Sequence, residues 1–412
     1  MDNNDLEKNI QEEVVSEEET VEDANDSLSD ETFTYTIDNN NVNNDYNKNK
    51  YDDNKSFIYI FIGLFILIFI IVLLIILANR NSNKISGYND IESRMVSGAK
   101  KYYEKNNESL PIMDGGSVTI STDTLIENSF LKPFSEMVDE GVSCSGYVSV
   151  FKNNDNYAYF PYLNCGDEYE SLRLSQKIVD SGIVTSGDGL YKLDDRYVFR
   201  GEYPNNYVKF NDKIWRIIGI NNDGSIKMIY FDGKVERSVW DDRYNSSRDS
   251  YVGINDFRVS RLLEYLKKIY EDNTYISKNN KVLLVKHDWC IGKVSENDAL
   301  ISSLNICSDV YSDLYIGTVQ VDDVLIPSID SSCSNINDIE CTNYNYFYTI
   351  NTGWTLNSSS DKSYIAFSSN NGAISAKNTS VDNYVRPVIN INSNILYKSG
   401  LGTVDDPYVI NY

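Results

Sequence analysis

Residues 57–78 are 22 consecutive positions without a charge, built almost wholly from Ile, Leu, Phe and Val and bounded by Lys55 and Arg80. At 1.5 Å per residue such a helix spans the bilayer core of roughly 30 Å. A buried core helix would need cover on every face, and the 56 polar residues before it offer none. After a polar break at 79–83, Ile91, Met95, Gly98, Ala99, Tyr102 and Tyr103 recur at helical spacing, with Lys100, Lys101 and Glu104 facing away. The spacing predicts a juxtamembrane amphipathic helix within 79–106.

The pattern then shortens to period two. Residues 117–121 read as a strand, followed by a short helix capped by Ser121 or Thr122. Residues 146–151 and 157–162 alternate around the turn-forming stretch 153–156, which predicts a β-hairpin. These elements make 107–170 a small α+β module. Residues 171–202, with a Gly-Asp-Gly turn at 187–189, read as a linker. From 203 to 412 the chain is β-rich. Strands are predicted at 207–210, 213–220 and 225–231, a helix at 256–270, and further strands at 364–368, 373–376 and 384–391. The predicted class is α+β with one transmembrane helix (57–78), the domain of 203–412 being loop-rich and mainly antiparallel.

Charge separates the ends of the chain. Of the net −24, the first 55 residues contribute −13, with runs such as Glu17-Glu18-Glu19 and no periodic apolar face. Residues 1–56 therefore read as an acidic, disordered tail. Lysines and arginines flank both sides of the apolar run and do not orient it. Cysteine placement does. Cys144, Cys165, Cys290, Cys307, Cys333 and Cys341 all follow the run, with no C-x-x-C pair and a single histidine, which points to disulfides rather than zinc. Placing them in an oxidising compartment makes the tail cytoplasmic and the rest extracellular at the plasma membrane.

With Asn154 and Asp155 as the turn, paired positions sum to 309, which sets Cys144 opposite Cys165 at a non-hydrogen-bonded position suited to a bridge. It also places Pro161 on a strand that must be an edge. Pairing Cys290 with Cys307 and Cys333 with Cys341 follows only from proximity in sequence.

Chemistry is sparse. His287 adjoins Asp288 and Trp289, but no G-x-S-x-G elbow accompanies it, and successive strand residues face opposite ways. The pairs Asp241-Asp242, Asp322-Asp323 and Asp405-Asp406 are candidate calcium ligands without EF-hand spacing. A charge of −11 beyond the tail argues against nucleic acid. The 32 tyrosines suit recognition. Trp215 and Trp289, within apolar strands, read as core, while Trp240 and Trp354 lie nearer loops and are the candidate ligand-binding residues.

The stretches Tyr207-Val-Lys-Phe-Asn with Trp215-Arg-Ile-Ile, His287-Asp-Trp-Cys-Ile-Gly, Tyr315-Ile-Gly, Val385-Arg-Pro-Val, and Gly400-Leu-Gly-Thr with Asp406-Pro-Tyr resemble a cell-surface protein family of low-GC Gram-positive bacteria. The C-terminal portion of such proteins resembles the C-type-lectin-like fold shared with formylglycine-generating enzymes. That resemblance implies a C-type-lectin-like domain over 203–412. The calcium-site motifs of sugar-binding lectins (Glu-Pro-Asn or Gln-Pro-Asp, and Trp-Asn-Asp) do not occur there. The sequence reading is a membrane-anchored adhesion or binding protein for a glycan or protein ligand. The second reading is an extracytoplasmic enzyme, or a single-pass sensor coupled to the acidic tail.

Overall fold

The structure, a computed structural model, describes residues 52–295 and 307–411. The predicted disordered tail lies outside the described residues as far as residue 51. The chain divides into two compact units, Met1–Ile75 and Ile76–Tyr412. Asp52–Lys105 is one helix, so the polar stretch 79–83 does not interrupt it. That stretch contains no proline, and Asn, Arg and Ser lower helix propensity only modestly. Tyr59–Ile76 within the helix is long and apolar enough to cross a membrane. Its side chains are open all round, from Leu73 at 45 % to Phe65 at 74 % exposed.

In the second unit, Ile91, Met95, Ala99 and Tyr103 form the buried helix stripe that the spacing predicts, and they pack on Ile120, Leu125, Val148, Val150 and Leu163. Gly98 marks the tightest approach, since a Cβ there would meet the Phe130 carbonyl oxygen at 2.7 Å. The helix packs on a three-stranded sheet ordered Ser117–Ser121, Ser145–Asn153, Asn156–Asn164. The hairpin register runs from Asn153 opposite Asn156 to Ser145 opposite Asn164, as the turn predicts. Asn154 supplies the left-handed residue, at φ +51°. Cys144 and Cys165 follow in step, with Cα atoms 4.1 Å apart and their sulfurs bonded. Pro161 lies on the edge strand, where its missing N–H costs no ladder bond.

Residues 171–202 are not a linker. They form the helix Leu174–Asp180 and the hairpin of Gly189–Leu193 with Arg196–Arg200. Val198 pairs with Gly219, which adds the hairpin to the large sheet. A Cβ on Gly219 would lie 2.3 Å from the Tyr197 carbonyl oxygen, so only glycine permits this contact. The joining position is thus a residue without a side chain, invisible to a hydrophobic pattern.

Among the described residues the large sheet has nine strands. Its main path is Ile316–Gly317, Val388–Ile391, Ile226–Tyr230, Lys213–Ile220, Tyr207–Phe210, Tyr408–Asn411, Leu396–Ser399. Its centre is the predicted three-strand meander, whose first turn holds Asn211 and Asp212 at φ +55° and +57°. All pairings are antiparallel except that of Tyr408–Asn411 with Tyr207–Phe210. The helix Arg261–Glu271 begins later than its periodicity predicts. Ser260 is its N-cap, accepting from the Leu263 amide at 3.0 Å, and Phe257–Val259 before it is a 3-10 turn. Gly353–Ser358, Ile365–Asn370 and Ala373–Asn378 form a further meander. The fold is α+β with mostly antiparallel sheets.

Candidate functional site

Trp240 and Trp354, the candidate ligand-binding residues, are both fully buried at 0 % exposure, which corrects the expectation that their loops present them at a surface. Their elements pack reciprocally. The Trp240 Nε1–H donates to the Thr355 carbonyl at 3.1 Å, and the Trp354 Nε1–H to the Ser238 carbonyl at 2.9 Å. Each indole satisfies its one donor on the other's strand and joins the same core as Trp215 and Trp289.

The six cysteines form three pairs, Cys144 with Cys165, Cys290 with Cys307 and Cys333 with Cys341. His287 Nδ1 lies 3.3 Å from the Asp288 carbonyl, while the Asp288 carboxylate accepts from the Ser312 hydroxyl at 2.5 Å. Asp241 is enclosed by the Arg243 guanidinium and the Ile254 amide, each at 2.7 Å, and Asp242 pairs with Arg261 at 3.1 Å. Asp323 is bound by Lys227 at 2.6 Å. Among the described residues no three His, Cys, Asp or Glu side chains are gathered as a metal site requires.

The structure instead opens a cleft at the seam between the disulfide module and the large sheet domain. Asn153, next to the hairpin turn, is buried at 3 % exposure and clamps the seam. Its Nδ2 donates to the Lys281 carbonyl at 3.0 Å and to the Leu284 carbonyl at 2.6 Å. The Asn154 amide donates to Asp114 Oδ1 at 2.6 Å, which holds the 111–116 turn against the hairpin. Between them lies a space of roughly 270 Å³.

One wall of the cleft is apolar, from Phe151, Leu284, Val285 and Tyr315. Asp114, Asp223 and Lys286 line it with charge. The Tyr315 ring stacks on Tyr270 at 4.8 Å with 16° between planes, and its hydroxyl donates to Asp114 at 3.3 Å. The Lys286 ammonium lies 2.8 Å from Asp313, 3.6 Å from Asp114 and 5.0 Å from the Tyr315 ring centroid. Its hydrogen bond to Asp313 raises the Lys286 pKa above its ordinary range and holds the Asp313 carboxyl below its own. Burial pushes the Tyr315 hydroxyl up, and the nearby Asp114 charge adds to that. The lining therefore sets an ammonium held by Asp313 beside the stacked pair of Tyr315 and Tyr270.

Sequence reasoning missed this site because its residues come from five separated segments. It also missed Glu92, a helix carboxylate only 1 % exposed. Glu92 accepts from the Tyr169 hydroxyl at 2.8 Å, from the Ser171 hydroxyl, and from Asn411 Nδ2 at 3.5 Å. Burial pushes its pKa up against the opposing effect of those hydrogen bonds. Its position on the buried stripe, one residue after Ile91, was the available signal. No family model, curated protein or solved structure matches the chain.

Proposed function

We propose that this is a single-pass, membrane-anchored surface protein that binds a ligand through its extracellular part, with the seam cleft as the binding site. The observation that carries the binding reading is the cleft itself: fixed donors and acceptors converge there over an aromatic and aliphatic wall, the composition of small-ligand sites generally. Three cysteine pairs, all on the C-terminal side of the apolar helix, support an oxidising location for that side and a cytoplasmic location for the acidic N-terminal segment.

The test uses the full chain in its membrane. Protease added to intact cells should remove epitopes beyond residue 105 and spare those before residue 50. Detergent-solubilised protein should capture a ligand on glycan or protein arrays. Protection of the C-terminal epitopes, or folded protein that binds nothing on either array, would reject the reading.

A second reading, a sensor, is favoured by Glu92. It sits on the helix that continues from the apolar segment and bonds both the hairpin exit, through Tyr169 and Ser171, and the C-terminal strand, through Asn411.

A further inference from the structure

Glu92 is a buried carboxylate held by neutral groups. Its Oε1 accepts from the Tyr169 hydroxyl at 2.8 Å and from the Ser171 hydroxyl, whereas its Oε2 has Asn411 Nδ2 at the loose distance of 3.5 Å. The residue is 1 % exposed, and among the described residues no lysine or arginine offsets its charge. A buried carboxylate without a cation is costly in its ionised form.

The charged and titratable groups nearby are engaged elsewhere. On the same helix, Tyr88 stacks on Tyr169 at 4.7 Å, and Asp90 pairs with Arg94 at 2.8 Å on the exposed side. At the hairpin exit, Glu170 is exposed and turned to Tyr162 and Asn164. Burial and the Glu92 charge keep the Tyr169 hydroxyl protonated. The last strand contributes the neutral Asn411. Glu92 therefore titrates without a charged partner, and burial lifts it above the ordinary carboxylate range.

Hydrogen-bond bookkeeping gives the two protonation states different structures. Oε1 already accepts two hydrogen bonds, so an arriving proton belongs on Oε2. The new O–H then meets the Asn411 amide nitrogen donor to donor. A half-turn of that amide presents Oδ1 instead, and the loose contact becomes a hydrogen bond of roughly 2.7 Å. Asn411 ends the strand Tyr408–Asn411, which pairs with Tyr207–Phe210 and with Leu396–Ser399 inside the large sheet. Protonation thus fastens the helix to that sheet, and ionisation slackens the tie.

We infer that Glu92 is a proton-operated latch between the helix Asp52–Lys105 and the last strand of the large sheet, closed in acid and slack once the carboxylate ionises. The latch deepens the sensor reading by naming its stimulus, the proton, and rests on that reading only for the side of the membrane from which the proton comes.

Hydrogen exchange of the detergent-solubilised full chain tests it, read by mass spectrometry and corrected for the intrinsic pH dependence of amide exchange. From mildly alkaline pH down to pH 4.5, the peptide holding Tyr408–Asn411 should gain about fivefold in protection, the worth of one buried hydrogen bond. Glu92→Gln, whose amide N–H can donate to Asn411 Oδ1 at any pH, should show the acid level of protection throughout. Asn411→Ala removes the acceptor and should abolish most of the response, although Glu92 stays buried and still titrates. A carboxylate that is merely buried predicts the same response in Asn411→Ala as in the native chain, so that variant carries the test even where Glu92→Gln does not fold.

A native profile that is flat with pH would overturn the latch and leave the sensor reading to another stimulus. A native-like response in either variant would overturn it as well. Protection of the C-terminal epitopes from external protease would instead overturn the outward placement, with the latch itself judged by the exchange data.

Discussion

The buried pair of Lys227 and Asp323 gives the sharpest energetic test. The Lys227 ammonium lies 2.7 and 2.6 Å from the two Asp323 oxygens and 2.9 Å from Gln320 Oε1. The two side chains are 12 % and 6 % exposed, and the Trp289 ring lies 5.6 Å from the ammonium. Asp323→Ala would remove the only carboxylate bonded to that charge, leaving it Gln320 Oε1, an indole and the neighbouring Asp322 carboxyl, and breaking a buried pair this way costs about 3–5 kcal/mol. Asp323 also accepts from the Gln320 amide at 2.9 Å in the capping box of the helix Val321–Leu325, and loss of that cap adds about 1 kcal/mol.

The expected total for Asp323→Ala is therefore about 4–6 kcal/mol. At roughly 2 °C per kcal/mol for a unit of this size, the melting temperature should fall by roughly 8–12 °C. Lys227→Met should cost about 3 kcal/mol, because the stranded carboxylate keeps the Gln320 amide. Lys227→Met with Asp323→Leu should return to within about 2 kcal/mol of the native protein, since an apolar pair removes both desolvation costs and loses only the cap. Tryptophan fluorescence during thermal unfolding of the solubilised full chain reads all three, because Trp289 flanks the pair. A fall below 3 °C for Asp323→Ala, or a double variant no better than it, would refute the reasoning.

Two further outcomes follow from the structure. Cys144→Ala with Cys165→Ala opens a loop of sequence separation 21 and should cost about 3 kcal/mol by the chain-entropy relation; unreduced peptide mapping of the native protein should recover the two cysteines linked, and free thiols there would contradict the pairing. Glu92, whose pKa burial raises above its ordinary 4.5, holds its proton more tightly in the folded state than in the unfolded one. Its stability contribution is fully present below pH 4.5 and is lost as pH rises through the folded value. Glu92→Gln keeps an acceptor for Tyr169 and Ser171 and should gain on the native protein as pH rises from 4.5 towards neutrality. A melting-temperature difference independent of pH across that window would count against it.

The sequence determined what is local. A two-residue turn fixes hairpin register, so the facing of Cys144 and Cys165 and the edge position of Pro161 were legible from the arithmetic of pairing. Likewise a 3.6-residue period declared the buried stripe of Ile91, Met95 and Ala99, and an unbroken apolar run declared the helix at Tyr59–Ile76. The tertiary structure alone decided which surfaces meet. Trp240 and Trp354 neighbour turn-rich sequence, yet each is sealed by the other's strand. The segment 171–202 looked like a linker until Val198 found Gly219, and the last strand pairs in parallel with residues two hundred positions earlier. The cleft joins Asp114, Phe151, Asp223, Lys286 and Tyr315 across the chain. Periodicity and turn chemistry act over a few residues, whereas these contacts depend on how completed elements pack, and that information belongs to no single stretch of sequence.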